Sequence, residues 1–234
     1  SPENLDDYIK VVKKQSMGLR PWQKMALQIA ITGLFAYYIT NVLDLNLAMK
    51  IPFMENKVLD LGFFNLPLLF LVVIGTDTGT NFTDGIDGLC SSVTIVVGLF
   101  MAIAVMRIDG IISPSSLIFV GGLMGFLVFN AYPAKVFMGD TGSLAIGGGI
   151  AALALLTKTE VLLAILGGVY VMEALSVIIQ VSYFKYTHGK RVFRMTPIHH
   201  HFELGGWKET KVVTNFTVLS CILCAIGYGL WLIK

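Results

Sequence analysis

The chain has 234 residues, 55% of them apolar and only 14% charged, where an average soluble domain is about a quarter charged. With a mean hydropathy of +0.75 and a formal net charge of +2, it does not fit a disordered chain, a collagen-like fibre, a secreted disulfide scaffold or an ordinary soluble enzyme. Nothing in that charge argues for a nucleic-acid partner. What remains is an all-α, polytopic transmembrane helical bundle, a single integral-membrane domain over 1–234.

The polar first residues, 1–5, lack the apolar core of a secretory signal. Asp6-Asp7-Tyr8-Ile9-Lys10 continues to Lys14, and the three- and four-residue steps from the acids to Lys10 and on to Lys14 put these charges on one helical face. That face is either an ion-paired, solvated surface or part of a site. Seven uncharged runs follow, at 25–43, 61–76, 88–106, 110–134, 141–157, 161–184 and 212–233, the sixth broken only by Glu173. A spanning helix needs about 20 residues, so the runs predict seven spans. None shows the alternation of a β-barrel strand. Cys90, Cys221 and Cys224 lie in or beside these runs and read as buried packing thiols.

The loops between runs alternate in charge. Residues 1–24, 77–87, 132–140 and 185–211 hold 12 of the 17 basic residues, which predicts that this end faces the cytoplasm. Nine of the 15 acidic residues lie there too. The positive-inside rule gives acids no reason to follow bases, so a site that binds anions through bases and a cation through acids is the reading that unites them.

Four segments at that end carry residues able to do chemistry. In Thr83-Asp84-Gly85-Ile86-Asp87-Gly88 the two aspartates are three apart, so a helical turn would aim both carboxylates one way, at a helix start that favours anions. Two such carboxylates hold a hard cation or accept protons; helix capping with glycine turns is the plainer alternative. In Asn130-Ala131-Tyr132-Pro133-Ala134-Lys135 through Gly139-Asp140-Thr141-Gly142-Ser143, a lone carboxylate at a helix start suits a metal with phosphate, or an N-cap. The run Pro197-Ile198-His199-His200-His201-Phe202-Glu203 tempts a zinc reading, but consecutive histidines point in different directions and no Cys or HExxH partner accompanies them. Contact with an anionic substrate suits them better. Glu173 stands in mid-span with Ser176 and Gln180 on its face, which marks either an interhelical hydrogen bond or a substrate path.

Together these motifs closely resemble the phospho-N-acetylmuramoyl-pentapeptide transferase family, a branch of the polyprenyl-phosphate N-acetylhexosamine-1-phosphate transferase superfamily. The aspartate motifs mark the superfamily, and Pro197–Glu203 points to this branch. The resemblance implies a ten-helix fold with both termini outside, of which about seven helices are visible, so the chain reads as a fragment lacking the upstream helices. It implies transfer of phospho-MurNAc-pentapeptide from UDP-MurNAc-pentapeptide to undecaprenyl phosphate in a bacterial cell membrane, giving lipid I and UMP for peptidoglycan synthesis. Mg²⁺ is the implied cofactor, with Asp140 as its leading ligand. Asp6 or Asp7 is expected to deprotonate the lipid phosphate, and Asp84 and Asp87 to orient substrate or support the metal. Lys10, Lys14, Asn81, Asn130, Gln180, His199 and His200 are the expected substrate contacts. The family branch also implies a homodimer. One departure stands out: the family commonly has an asparagine three residues ahead of Asn81, where this chain has Thr78. A sister enzyme using UDP-N-acetylglucosamine is the alternative within the class. A transporter or flippase with Glu173 on its pathway is the alternative outside it.

Overall fold

The computed structural model describes residues 21–51, 58–109 and 114–232. Among these, the chain is predominantly helical, and the described part of each of the seven uncharged runs is largely helix. Helix α1 spans Pro21–Asn41, and a two-residue antiparallel ribbon follows, β1 (Met49–Lys50) on β2 (Val58–Leu59), with Met49 opposite Leu59 and Lys50 opposite Val58. A 3₁₀ turn at Gly62–Phe64 leads into α2 (Asn65–Thr83). Then come α3 (Leu89–Asp109), α4 (Pro114–Asn130), α5 (Gly139–Thr157), α6 (Glu160–Leu166), α7 (Gly168–Tyr186), α8 (Ile198–Glu203) and α9 (Glu209–Leu232).

Four of these helices, those of α2, α3, α5 and α9, are long and apolar enough to cross a membrane, and a fifth span forms if α6 and α7 are counted together. This is fewer than the seven predicted spans. The run at 161–184 is not one straight helix: α6 and α7 meet at Gly167 with a bend of 77°. The Gly167-Gly168 pair is the cause, because two adjacent residues without side chains weaken the helix where it turns. The other two fall short for different reasons. At 17 residues, α4 reaches about 25 Å at 1.5 Å per residue, and α1 is diluted by Gln23, Lys24, Gln28, Thr32 and Thr40.

The largest core lies where α3 meets α5, α6, α7 and α9. Leu89, Val93, Val97, Met101 and Ala104 form one stripe of α3, and they meet Ile150, Leu162, Leu166, Tyr170, Phe216 and Cys224. A second core joins Ala36 and Ile39 of α1 to Leu69 of α2 and Leu155 of α5. The outer faces keep Leu34, Leu71, Ile118 and Val128 exposed. Hydrocarbon accepts such faces, so close packing rather than water exclusion drives these helices together. Three buried threonine hydroxyls are satisfied within their own helices: Thr80, Thr83 and Thr94 donate to the carbonyls of Thr76, Gly79 and Cys90. The Tyr170 hydroxyl donates to Thr94 Oγ1 at 2.8 Å and ties α7 to α3.

The two ends of the bundle differ. At one, Asp60 accepts the Gly62 N–H at 2.8 Å and the Asn65 amide at 2.7 Å, organising the start of α2. These bonds hold the Asp60 carboxyl below its usual range. Lys158, in a left-handed conformation that ends α5, donates to the Asn46 carbonyl at the same end. At the other end the termini of α2, α4 and α7 meet the starts of α1, α3, α5 and α9, and there the motif residues gather.

Candidate active site

The centre of that end is the junction of α2 and α5. Asp140 is the second residue of α5, where the helix dipole favours a carboxylate. It does not act as an N-cap: Met138 precedes the helix, and no side chain caps it. Its two oxygens face other elements instead. Oδ1 accepts from Asn81 Nδ2 at 3.2 Å, and Oδ2 accepts from Lys24 Nζ at 2.9 Å. Asn81 Nδ2 also donates to Ser143 Oγ at 3.0 Å, so one amide spans the first turn of α5.

Asp84 follows the last residue of α2. Burial pushes its carboxyl up to about 7, and the negative charge of Asp140 adds to the push, while the Gly139 N–H works the other way. Two carboxylates, one largely desolvated and one partly exposed, therefore face each other beside a side-chain amide. That donor set fits a hard divalent cation, which takes few protein carboxylates and keeps its waters. Among the described residues, no group of three or more His, Cys, Asp or Glu side chains is arranged to hold a metal by itself.

Asp87 differs from its expected placement. Residues 84–88 form a turn rather than a helix, so a spacing of three does not align the two carboxylates. Asp84 faces Gly139 and Asp140, whereas Asp87 Oδ2 accepts the Ala134 N–H at 2.8 Å and the Asp87 N–H donates to Glu209 Oε1 at 2.7 Å. Asp87 thus ties its own loop to the segment before α5 and to the start of α9.

Asn130 and Gln180, expected on the substrate, have their amides hydrogen-bonded within the protein. Asn130 is buried, accepts from Ser91 Oγ at 2.9 Å and donates to the Val136 carbonyl at 3.0 Å. It shapes the connection that ends at Asp140. Gln180 Oε1 accepts the N–H groups of Val192 and Phe193 at 3.0 and 2.9 Å. It pins the chain between α7 and α8, beside a cleft of about 310 Å³ that Phe184, Lys185 and Arg191 help to line.

The three histidines have three separate partners. His199 is fully buried, with Nδ1 3.1 Å from Glu173 Oε1, so the intramembrane carboxylate makes an interhelical contact. His200 Nδ1 lies 2.6 Å from Glu203 Oε2 on the same short helix. His201 Nδ1 accepts the Arg194 N–H at 3.1 Å. Asp6, Asp7, Lys10 and Lys14 lie outside the described residues.

The structure adds side chains that the sequence reading left out. Lys24, the only charged residue in α1, reaches Asp140, and being the sole charge on an apolar helix was the signal that could have found it. Ser143 completes the Asn81 bridge. Gln28 donates to Asp77 Oδ2 at 2.8 Å one turn further along α1, and Glu209 holds the Asp87 backbone.

The family model for glycosyl transferase family 4 matches residues 4–158, which includes the Asn81–Asp84–Asp140 junction. The chain is 48% identical over 225 residues to a phospho-N-acetylmuramoyl-pentapeptide-transferase of Clostridium kluyveri, covering 96% of this chain and 70% of that protein. The protein of the same name from Clostridium botulinum (strain Eklund 17B) is 49% identical over 96% of this chain and 68% of its own length. That of Heliobacterium modesticaldum is 48% identical over 95% of this chain and 69% of its own. Identity at this level over nearly the whole chain means that the chain belongs to glycosyl transferase family 4 and, within it, to the phospho-N-acetylmuramoyl-pentapeptide-transferases.

Proposed function

We propose that the protein transfers phospho-MurNAc-pentapeptide from UDP-MurNAc-pentapeptide to undecaprenyl phosphate, releasing UMP and forming lipid I, at the cytoplasmic face of a bacterial inner membrane. The observation that carries this reading is the meeting of Asp84, Asp140, Asn81 and Lys24 at the ends of three helices. A soluble diphosphate and a membrane-bound phosphate can both reach a bundle end. The names of the relatives support the choice of sugar and peptide, and the basic bias of 12 residues to five supports the cytoplasmic orientation.

The bond formed joins an oxygen of the lipid phosphate to the β-phosphorus of the nucleotide sugar; the bond broken is the one from that phosphorus to the bridging oxygen, which leaves with UMP. Both reactants are anionic, so charge must be neutralised before they meet. Asp140 and Asp84 would hold Mg²⁺, which when bound supplies that neutralisation at the phosphate oxygens. Lys24 adds a positive charge beside Asp140, and Asn81 keeps the Asp140 carboxylate turned toward α2. Asp6 or Asp7 takes any proton from the lipid phosphate, after which that oxygen needs no enzyme nucleophile to activate it.

The test is UMP release by the full-length protein with UDP-MurNAc-pentapeptide and undecaprenyl phosphate, with and without Mg²⁺. The reading expects release that needs all three. Equal release from UDP-N-acetylglucosamine would move the protein to the sister class, and movement of substrate without UMP would make it a transporter.

A further inference from the structure

The Glu173–His199 contact leads beyond the residues assigned so far. Both side chains are wholly buried, and they come from different elements, α7 and α8. Their second atoms, Glu173 Oε2 and His199 Nε2, have no hydrogen-bond partner among the described residues. Nε2 faces Gly85, between Asp84 and Asp87: a methyl group on Gly85 would lie 2.1 Å from Nε2 and 2.6 Å from Cε1. Real carbon atoms do not approach that closely, so the imidazole edge fills the volume that any side chain at position 85 would need.

Three parts of the chain therefore meet at one ring. Glu173 fixes its rotation through Nδ1, the His200 ring lies against it, tilted by 56° with ring centroids 4.1 Å apart, and the far edge abuts the backbone of the loop. That loop is held elsewhere through Asp87 and its N–H and through the Gly139 N–H on the Asp84 carboxylate. A ring sealed from solvent in this way is badly placed to touch a substrate that arrives from water. It is well placed to set the height of the loop that presents Asp84 toward Asp140.

We propose that Glu173 and His199 are a positioning pair: they fix Gly85, and with it Asp84, against α8, and Gly85 and His199 fit as one steric unit. The inference rests on the transferase reading above. It assigns neither residue a bond to substrate, and it makes the glycine in the aspartate loop a consequence of the histidine rather than of turn conformation.

The test uses the full-length protein and two readouts, kcat and KM for UMP release and thermal unfolding in detergent. Displacing a reacting group by about 1 Å can cost on the order of 100-fold in rate. Gly85→Ala should therefore lower kcat by roughly that factor and lower Tm, because the methyl drives the ring and the loop apart. Adding His199→Ala to Gly85→Ala should raise both values again, to those of His199→Ala alone, since the methyl enters vacated space. Glu173→Ala and His199→Ala should each lower kcat roughly tenfold or more with KM for the UDP substrate little changed, and the double variant should be no worse than the worse single one. Glu173→Gln, whose amide oxygen still accepts from Nδ1, should keep most of the rate. The proposal is overturned if Gly85→Ala behaves as wild type, or if the Gly85/His199 double variant shows the product of both losses. Wild-type protein that releases no UMP sinks the transferase reading instead, and the rescue of Tm then decides the steric unit alone.

Discussion

Asn81 Nδ2 lies 3.2 Å from Asp140 Oδ1 although 59 residues separate the two. The last turn of α2 and the first turn of α5 are thereby locked, with Ser143 Oγ as a second acceptor at 3.0 Å. A carboxylate at a helix start is left with Lys24 on its other oxygen. Its charge faces Asp84, whose own carboxyl is pushed up to about 7. The consequences can be measured.

Asp140→Asn removes one of the two facing carboxylates but keeps the shape of the side chain. Its amide can still accept from Asn81 through oxygen, so the α2–α5 junction survives and Tm should change little. Mg²⁺-dependent UMP release should vanish. Full activity in the variant would remove Asp140 from the proposed metal site.

Asp84 sets a pH dependence. Burial first, and then the Asp140 charge, raise its carboxyl from an unfolded value near 3.8 to about 7. Between those values the folded chain binds a proton that the unfolded chain has lost, so this group makes stability fall as pH rises from about 4 to 7. A cation binding at Asp84 must displace the same proton. Affinity for Mn²⁺, followed by electron paramagnetic resonance, should rise up to roughly tenfold per pH unit below about 7 and level off above it. Asp140→Asn should move the midpoint down, since one of the two causes is gone. A flat profile across that range would show that Asp84 does not face the cation.

How much of this could be read from the sequence depends on whether a residue acts through its neighbours in the chain or across the fold. The helices followed from runs free of charge, because an apolar segment in hydrocarbon must satisfy its own backbone. Asp84 and Asp140 stood out because charges were scarce and motif-bound. The direction of Asp87 did not follow, since a spacing of three aligns two side chains only in a helix, and residues 84–88 form a turn. Asn130 and Gln180 were legible as polar residues near the site. Their partners, the Val136 carbonyl and the N–H groups of Val192 and Phe193, are set by loop paths that no local pattern encodes. The bend at Gly167 was hidden in an apolar run whose composition does not change across it.

Lys24 should be a competitor for the cation. Its ammonium sits 2.9 Å from Asp140 Oδ2, with both side chains partly exposed, so the ion pair is worth about 1 kcal/mol or less to stability. Lys24→Gln should leave Tm nearly unchanged, tighten Mn²⁺ binding and weaken binding of UDP, whose phosphates lose a positive neighbour. Weaker Mn²⁺ binding in the variant would mean that Lys24 orients Asp140 rather than competing at it.

Asn130→Ala tests the loop that ends at Asp140. It removes the bond to the Val136 carbonyl and strands the buried Ser91 hydroxyl, at a cost of about 1–3 kcal/mol. The loss should appear in Tm and in kcat together, because the same segment supplies the Ala134 N–H to Asp87. A rise in KM for the UDP substrate with kcat and Tm unchanged would instead make Asn130 a direct substrate contact.

Gly147 carries the α2–α5 junction deeper into the bundle, one turn beyond Ser143. A methyl there would lie 2.6 Å from Asp77 Cα and 3.1 Å from Thr80 Oγ1. The first is backbone and cannot turn aside, so α2 must move away from α5. Gly147→Ala should destabilise by about 1–3 kcal/mol, the usual range for overpacking. It should also reduce kcat, because Asn81 lies on the same face of α2 as Asp77 and is drawn off Asp140 with it. Gly148 is the control within the same helix: a methyl there meets nothing within 4 Å, and an alanine in a helix interior is favoured over glycine by roughly 0.5–1 kcal/mol. Gly148→Ala should leave UMP release intact and hold or raise Tm. If the two substitutions behave alike, the close approach of α2 to α5 does not hold the Asn81–Asp140 contact.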